Sequence, residues 1–224
     1  MQVLVVDTAL GLCTAGVFEV DGAVVRPLGL RSEAMTKGHS ERLAGLARDA
    51  AKDAGGFDGI DRIGVTVGPG SFTGLRVGMA FALGLGAALG KPVVGLSTLD
   101  ALAEASDAPD RAALIDARRG QVYARFWKGG DAQGPAEALS IEDAQGRVAE
   151  LTTPALIGSG SGLVLESAPG ATVVDAVGAR PEDLAWLTAA LDPEANPPKP
   201  MYLRAPDATP PTRLPGQPRS AVPA

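Results

Sequence analysis

The chain opens on an uninterrupted apolar run, Val3-Leu4-Val5-Val6, closed by Asp7. β-Branched and leucine side chains without polar alternation suit a strand covered on both faces. Residues 7–11 form a polar, glycine-bearing turn, and 14–20 return as a second strand. Asp21-Gly22 is a hairpin signal, since both residues tolerate the positive φ of a two-residue turn. Residues 23–25 then make a third strand. Across 39–54, Leu43, Leu46, Ala47 and Ala50 recur at helical spacing, and Gly55-Gly56 stops the helix. The pattern continues with a buried strand at 63–67, a tight loop at 68–74 and a helix over 73–89 ended by Gly90. A strand at 92–96 and a helix through 105 complete this part.

Beyond Ala108-Pro109-Asp110 the opening logic returns. Ala112-Ala113-Leu114-Ile115-Asp116 matches Val3-Leu4-Val5-Val6-Asp7: an apolar strand ending in aspartate, a glycine turn, then an alternating strand. A duplicated pair of α/β lobes explains this. Residues 129–146 read as polar loop, 155–157 as a strand entering a glycine loop with Gly158 and Gly160, and 181–191 as a short helix. The expected division is an N-terminal lobe over 1–106, a C-terminal lobe over 107–207 and a Pro-rich tail over 208–224.

Composition narrows the class. Hydrophobic residues are 46% and charged residues 21% of 224, as in a globular chain with a core. Aromatics are only 4% against 29 glycines, so the core is built from small side chains and closely approaching elements. A net charge of −6 argues against unaided nucleic-acid binding, which needs a basic field to neutralise phosphates. A single cysteine, Cys13, precludes an internal disulfide and fits a reducing, cytoplasmic setting. The first apolar run has no basic residues before it and reads as a strand rather than a signal peptide. The uncharged stretches 151–165 and 77–90 fall short of the roughly 20 apolar residues of a span; no membrane contact is expected.

The most specific segment is Gly68-Pro69-Gly70-Ser71-Phe72-Thr73-Gly74-Leu75-Arg76-Val77-Gly78. It is a strand ending in a glycine turn that launches a helix, whose free amides attract anions or whose glycines simply allow close packing. No Gly-Lys-Ser/Thr follows, so it is not a Walker A loop. Gly74, Gly78, Ala82 and Gly86 lie four apart, a small-residue stripe that serves either the lobe's own sheet or a partner helix. Asp7 with Thr8, and Asp116, end strands at facing turns; they suit magnesium–nucleotide binding or plain turn capping. His39 is the sole histidine and has no second His or nearby Cys to complete a zinc site. Lys199, Arg204, Arg213 and Arg219 stand against Asp207 alone after residue 197, a basic end that touches RNA or merely solubilises.

Residues 3–8, 38–43, 66–78, 116–123 and Met201-Tyr202-Leu203-Arg204 together resemble the TsaB (YeaZ) family, over residues 1 to about 207. The resemblance implies two duplicated lobes of the actin, sugar-kinase and ribonuclease H-like type. It implies a place in making N6-threonylcarbamoyladenosine at adenosine 37 of tRNAs reading codons that begin with A. TsaB-like chains pair with TsaD, the transferase, and work with the ATPase TsaE; tRNA is reached through the complex. TsaD-like relatives carry two metal-binding histidines at positions matching Ser97 and Ala101 here, so no metal, no cofactor and no catalytic residue of its own is expected. The expected partner face is His39, Leu43, Leu46, Ala47 and Ala50 on one helix and Gly74, Gly78, Ala82 and Gly86 on the next, with self-association through the same face. Asp7, Thr8, Asp116, Gly158 and Gly160 are expected to mark a vestigial nucleotide cleft. The alternative is an ATPase or small-molecule kinase using the two aspartates.

Overall fold

A computed structural model describes residues 1–204 of the chain; the Pro-rich tail, with Arg213 and Arg219, lies outside the described residues. Two sheets organise the molecule. In the first, β1 (Gln2–Asp7), β2 (Leu12–Asp21), β3 (Val24–Ala34), β4 (Arg62–Gly68) and β5 (Val93–Ser97) lie in the order β3-β2-β1-β4-β5. β1 pairs antiparallel with β2 and parallel with β4, and β4 is parallel to β5. In the second sheet, β6 (Arg111–Arg118), β7 (Gln121–Lys128), β8 (Asp131–Ala132), β9 (Glu137–Ser140), β10 (Ala155–Ile157) and β11 (Thr172–Val174) run β8-β7-β6-β10-β11, with β9 also beside β7. β6 is antiparallel to β7 and parallel to β10, which is parallel to β11. Order and orientation repeat strand for strand, so the duplication hinted at by Asp7 and Asp116 is a property of the backbone.

The continuous apolar run of β1 is explained by cover on both faces. Leu4 and Val6 face a core shared with α1 (His39–Asp53) and α2 (Phe72–Leu89). Val3 and Val5 face the other way, onto Leu184, Ala185 and Leu187 of α6 (Pro181–Ala190). α6 comes from beyond the second sheet, so the stretch after residue 180 does not stay with the C-terminal lobe expected over 107–207 but returns to cover the first sheet. Arg62 on β4 fixes this return by donating to the carbonyls of Thr188, Ala189 and Leu191 at 3.1, 3.2 and 2.7 Å, capping the end of α6.

Residues 129–146, expected as loop, hold β8, β9 and the start of α4 (Ile141–Ala149). Their polar composition reflects an exposed edge, not absent structure. β9 pairs with β7, and the Ser140 side chain caps α4 by accepting from the Asp143 amide at 3.0 Å. The lobes meet through α3 (Thr98–Ala103), whose Leu99, Leu102 and Ala103 pack on Ala113, Ile115 and Ile157 of the second sheet. The Arg125–Asp100 ion pair crosses the same seam.

Candidate functional site

The glycine-rich run sits where β4 ends and α2 begins. Gly68 has φ of 117°, a turn that a side chain would strain, and the Gly68–Pro69 peptide is cis. Ser71 caps α2 by accepting from the Gly74 amide at 3.2 Å. The helix then runs against the end of β1 at backbone distance. A Cβ on Gly74 would stand 2.0 Å from the Thr8 carbonyl oxygen, and one on Gly78 2.4 Å from Thr8 Oγ1. Thr8 Oγ1 in turn donates to the Gly74 carbonyl at 2.7 Å.

The small-residue stripe is therefore packed on the chain's own sheet. Gly74, Gly78, Ala82 and Gly86 are buried, and so are His39, Leu43, Leu46, Ala47 and Ala50 on α1. All nine residues expected on a partner-facing surface point into this chain instead: α1 packs on β2 and β3, and the approach of α2 to β1 and β4 is too close for larger side chains. The accessible face is another one. α2 leaves Phe72 and Leu83 51% and 46% exposed, with Val77, Ala80, Phe81, Gly84 and Ala87 exposed or half-buried around them. Its 18 residues have a mean hydropathy of 1.5, and 33% of them are buried. Along α1 most exposed positions are charged, among them Glu41, Arg42, Arg48, Lys52 and Asp53, with Arg42 pairing to Glu33 and Arg48 to Asp49.

The two aspartates do the same local task in their lobes. Asp7 Oδ1 accepts from the Ala9 amide at 2.9 Å, and Asp116 Oδ1 accepts from the Arg118 amide at 2.7 Å, each closing an Asx turn two residues on. Asp7 also accepts from Thr66 Oγ1 at 2.8 Å and is 1% exposed. Burial pushes its carboxyl above the usual carboxylate range, against the opposing pull of Ala9, Thr66 and nearby His39. Asp116 is only partly buried, its side chain 26% exposed and paired with the Arg118 guanidinium at 3.0 Å.

A cavity of about 870 Å³ opens between the lobes. Of the five residues expected to mark a nucleotide cleft, only Asp116 lines it; Asp7 and Thr8 are sealed beneath the β1 turn. Gly158 and Gly160 lie outside the lining, and a Cβ on either would meet Leu114. His39 does line the cavity. Sequence reasoning missed Arg76, Phe72 and Tyr202. Arg76 lies 3.7 Å over the Phe72 ring and donates through Nε to the Tyr202 hydroxyl at 3.2 Å. Arg76 stands inside the glycine-rich run and Tyr202 inside the Met201–Arg204 match, so the signal was present without an assigned role. Residues 201–204 cross the lobes here: the Met201 amide donates to the Val67 carbonyl at 2.8 Å, and Arg204 Nη1 to the Ala117 carbonyl at 3.1 Å. Ser97 and Ala101 are a helix cap and a core residue, and among the described residues no three His, Cys, Asp or Glu side chains converge.

Two copies of one β/α lobe, joined by a packed seam and separated by a cleft, define a duplicated two-lobed α/β protein. The comparisons narrow this. A family model described as TsaD, tRNA N6-adenosine threonylcarbamoyltransferase, matches residues 24–153. An uncharacterized Mycobacterium leprae protein is 35% identical over 219 residues, 93% of this chain and 56% of that protein. The Escherichia coli tRNA threonylcarbamoyladenosine biosynthesis protein TsaB is 33% identical over 128 residues, 55% of this chain and 53% of its own length. These matches thus span about half the length of both relatives. The solved structure of YeaZ from Pseudomonas aeruginosa superposes with a TM-score of 0.71 at 26% identity, covering 90% of this chain and 99% of that one. The chain belongs to the TsaB (YeaZ) family.

Proposed function

We propose that this chain is the non-catalytic scaffold subunit of tRNA N6-threonylcarbamoyladenosine synthesis. It docks a TsaD-class transferase that modifies adenosine 37 of tRNAs reading codons that begin with A. The ATPase TsaE joins the pair, and tRNA is engaged through the complex, in the cytoplasm. The observation that carries this reading is the uncovered apolar face of α2 around Leu83, beside the charged face of α1. An apolar helix that leaves Phe72 and Leu83 51% and 46% exposed suits a lasting helix–helix interface rather than a solvated surface. Self-association through the same face is expected when the partner is absent. The sealed Asp7 supports the non-catalytic part: its Oδ1 accepts from the Ala9 amide and the Thr66 hydroxyl, and the residue does not line the cleft.

The test uses Leu83→Asp in cells lacking the native gene. Expected are a folded protein with Tm within about 2 °C of the parent, no co-purification with the TsaD subunit, and tRNA nucleosides without threonylcarbamoyladenosine by mass analysis. Full modification and parental TsaD capture by Leu83→Asp and by Val77→Asp would overturn the placement.

A further inference from the structure

The interlobe cleft has a lining that partner docking leaves unused. His39 is 6% exposed, borders the cavity, and its Nε2 has no hydrogen-bond partner among the described residues. A buried polar nitrogen left unsatisfied is uncommon unless something else meets it. Above it stands the start of α2, where the Ser71 side chain serves the Gly74 amide, and the first helical amides, Phe72 and Thr73, have no partner within the helix. Arg76 is held at the mouth by Phe72 and Tyr202, and Arg118 by Asp116 on the opposite wall. Arg118 adopts φ of 63°, a left-handed conformation uncommon for a side-chain-bearing residue, where it stands over the cleft. Cationic groups and a helix N-terminus thus converge on one opening. The floor is apolar, formed by Leu10, Ile115 and Met201.

We infer that this cleft binds a small organic anion with a flat, apolar body: the acid group sits among the α2 amides, Arg76 and Arg118, and the body lies on the apolar floor. A volume of about 870 Å³ holds a molecule of metabolite size and excludes a folded partner. A metal–polyphosphate ligand fits poorly, because Asp7 is sealed and Asp116 faces an arginine. Carboxylate and phosphate share the chemistry required; the experiment separates them.

The full chain is titrated by calorimetry with phenylacetate, phenyl phosphate and the neutral benzyl alcohol. In parallel the imidazole signals of His39 are followed by NMR; it is the single histidine, so the assignment is unambiguous. Expected is binding of at least one anion with Kd below about 1 mM, at least about tenfold tighter than the alcohol, with a shift of the His39 signals. Which anion binds names the acid group. Arg76→Gln and Arg118→Gln, both at exposed guanidinium groups, each weaken binding about tenfold or more without changing Tm. Leu83→Asp leaves it unchanged. The proposal is overturned by failure of both anions to bind up to about 10 mM, by His39 signals that do not move, or by affinity indifferent to both arginine variants.

Discussion

The turn after β1 and the turn after β6 are built alike, and they end in opposite surroundings. Each has an aspartate accepting from an amide two residues on. Each lies beside a strand whose end is turned by a glycine of positive φ, Gly68 at the end of β4 (117°) and Gly158 just after β10 (101°). The glycine loops are tied down differently: the Ser71 amide donates to the Ala9 carbonyl, two residues after its aspartate, at 2.7 Å, and the Gly160 amide to the Leu114 carbonyl, two residues before its own, at 3.0 Å. The helices launched from these glycine loops differ. The first lobe continues into the 18-residue α2, pressed on Thr8; the second into α5 (Ser161–Val164), only four residues long. The long helix shuts Asp7 away, while the short one leaves Asp116 and Arg118 facing the cleft. A duplicated backbone frame therefore does not preserve a duplicated site, because the element after the turn decides which side chain solvent can reach.

The strongest way to break this contrast is to crowd the two turns. Gly74→Val places atoms 2.0 Å from the Thr8 carbonyl, where backbone on both sides cannot yield. It should destabilise the fold by about 3 kcal/mol or more in urea unfolding. Gly160→Ala, whose Cβ meets Leu114 at 3.1 Å, should lose only about 1 kcal/mol. Equal losses would mean that the lobes are equally tight and that the contrast is wrong.

Next in size is removal of the aspartates. Asp7→Ala leaves the Ala9 amide and Thr66 hydroxyl buried without an acceptor, a loss of about 1–3 kcal/mol. Asp116→Ala removes a solvent-facing turn bond and should stay below about 1 kcal/mol by the same measurement. Asp7→Asn sharpens the point through pH. The Asp7 carboxyl is raised in the folded state, chiefly by burial. Its charged form is thus disfavoured by folding, and stability falls as pH rises from the ordinary carboxylate range through the raised folded value. Asn keeps an acceptor and has no charge to bury. The stability of Asp7→Asn relative to the parent should rise with pH across that window and then level off. A difference independent of pH would show that folding leaves the Asp7 pKa unshifted.

What the sequence made legible was local and periodic. Val3 to Val6 suited a strand covered on both faces, and the β1 and β6 aspartates pointed to the repeat. The polar region around β9 and α4 was not legible, since an exposed edge and a loop share a composition. Nor was the side to which Gly74 and Gly78 belong: small residues at helical spacing permit close approach without naming what approaches, and only the distance to Thr8 decides it. The cleft was hidden for another reason. His39, Arg76, Arg118 and Tyr202 come from four separate stretches, and no pattern along the chain joins them.

The return of α6 to the first sheet bears on how the protein is made. Until residues 181–190 leave the ribosome, one face of β1, with Val3 and Val5, has no cover. The N-terminal half therefore spends most of synthesis with an apolar sheet surface bare, and its completion waits on contacts between the two ends of the chain, the slow kind of closure. A nascent chain halted after the second sheet should then be held by chaperones or degraded, although every strand of its first lobe has been translated.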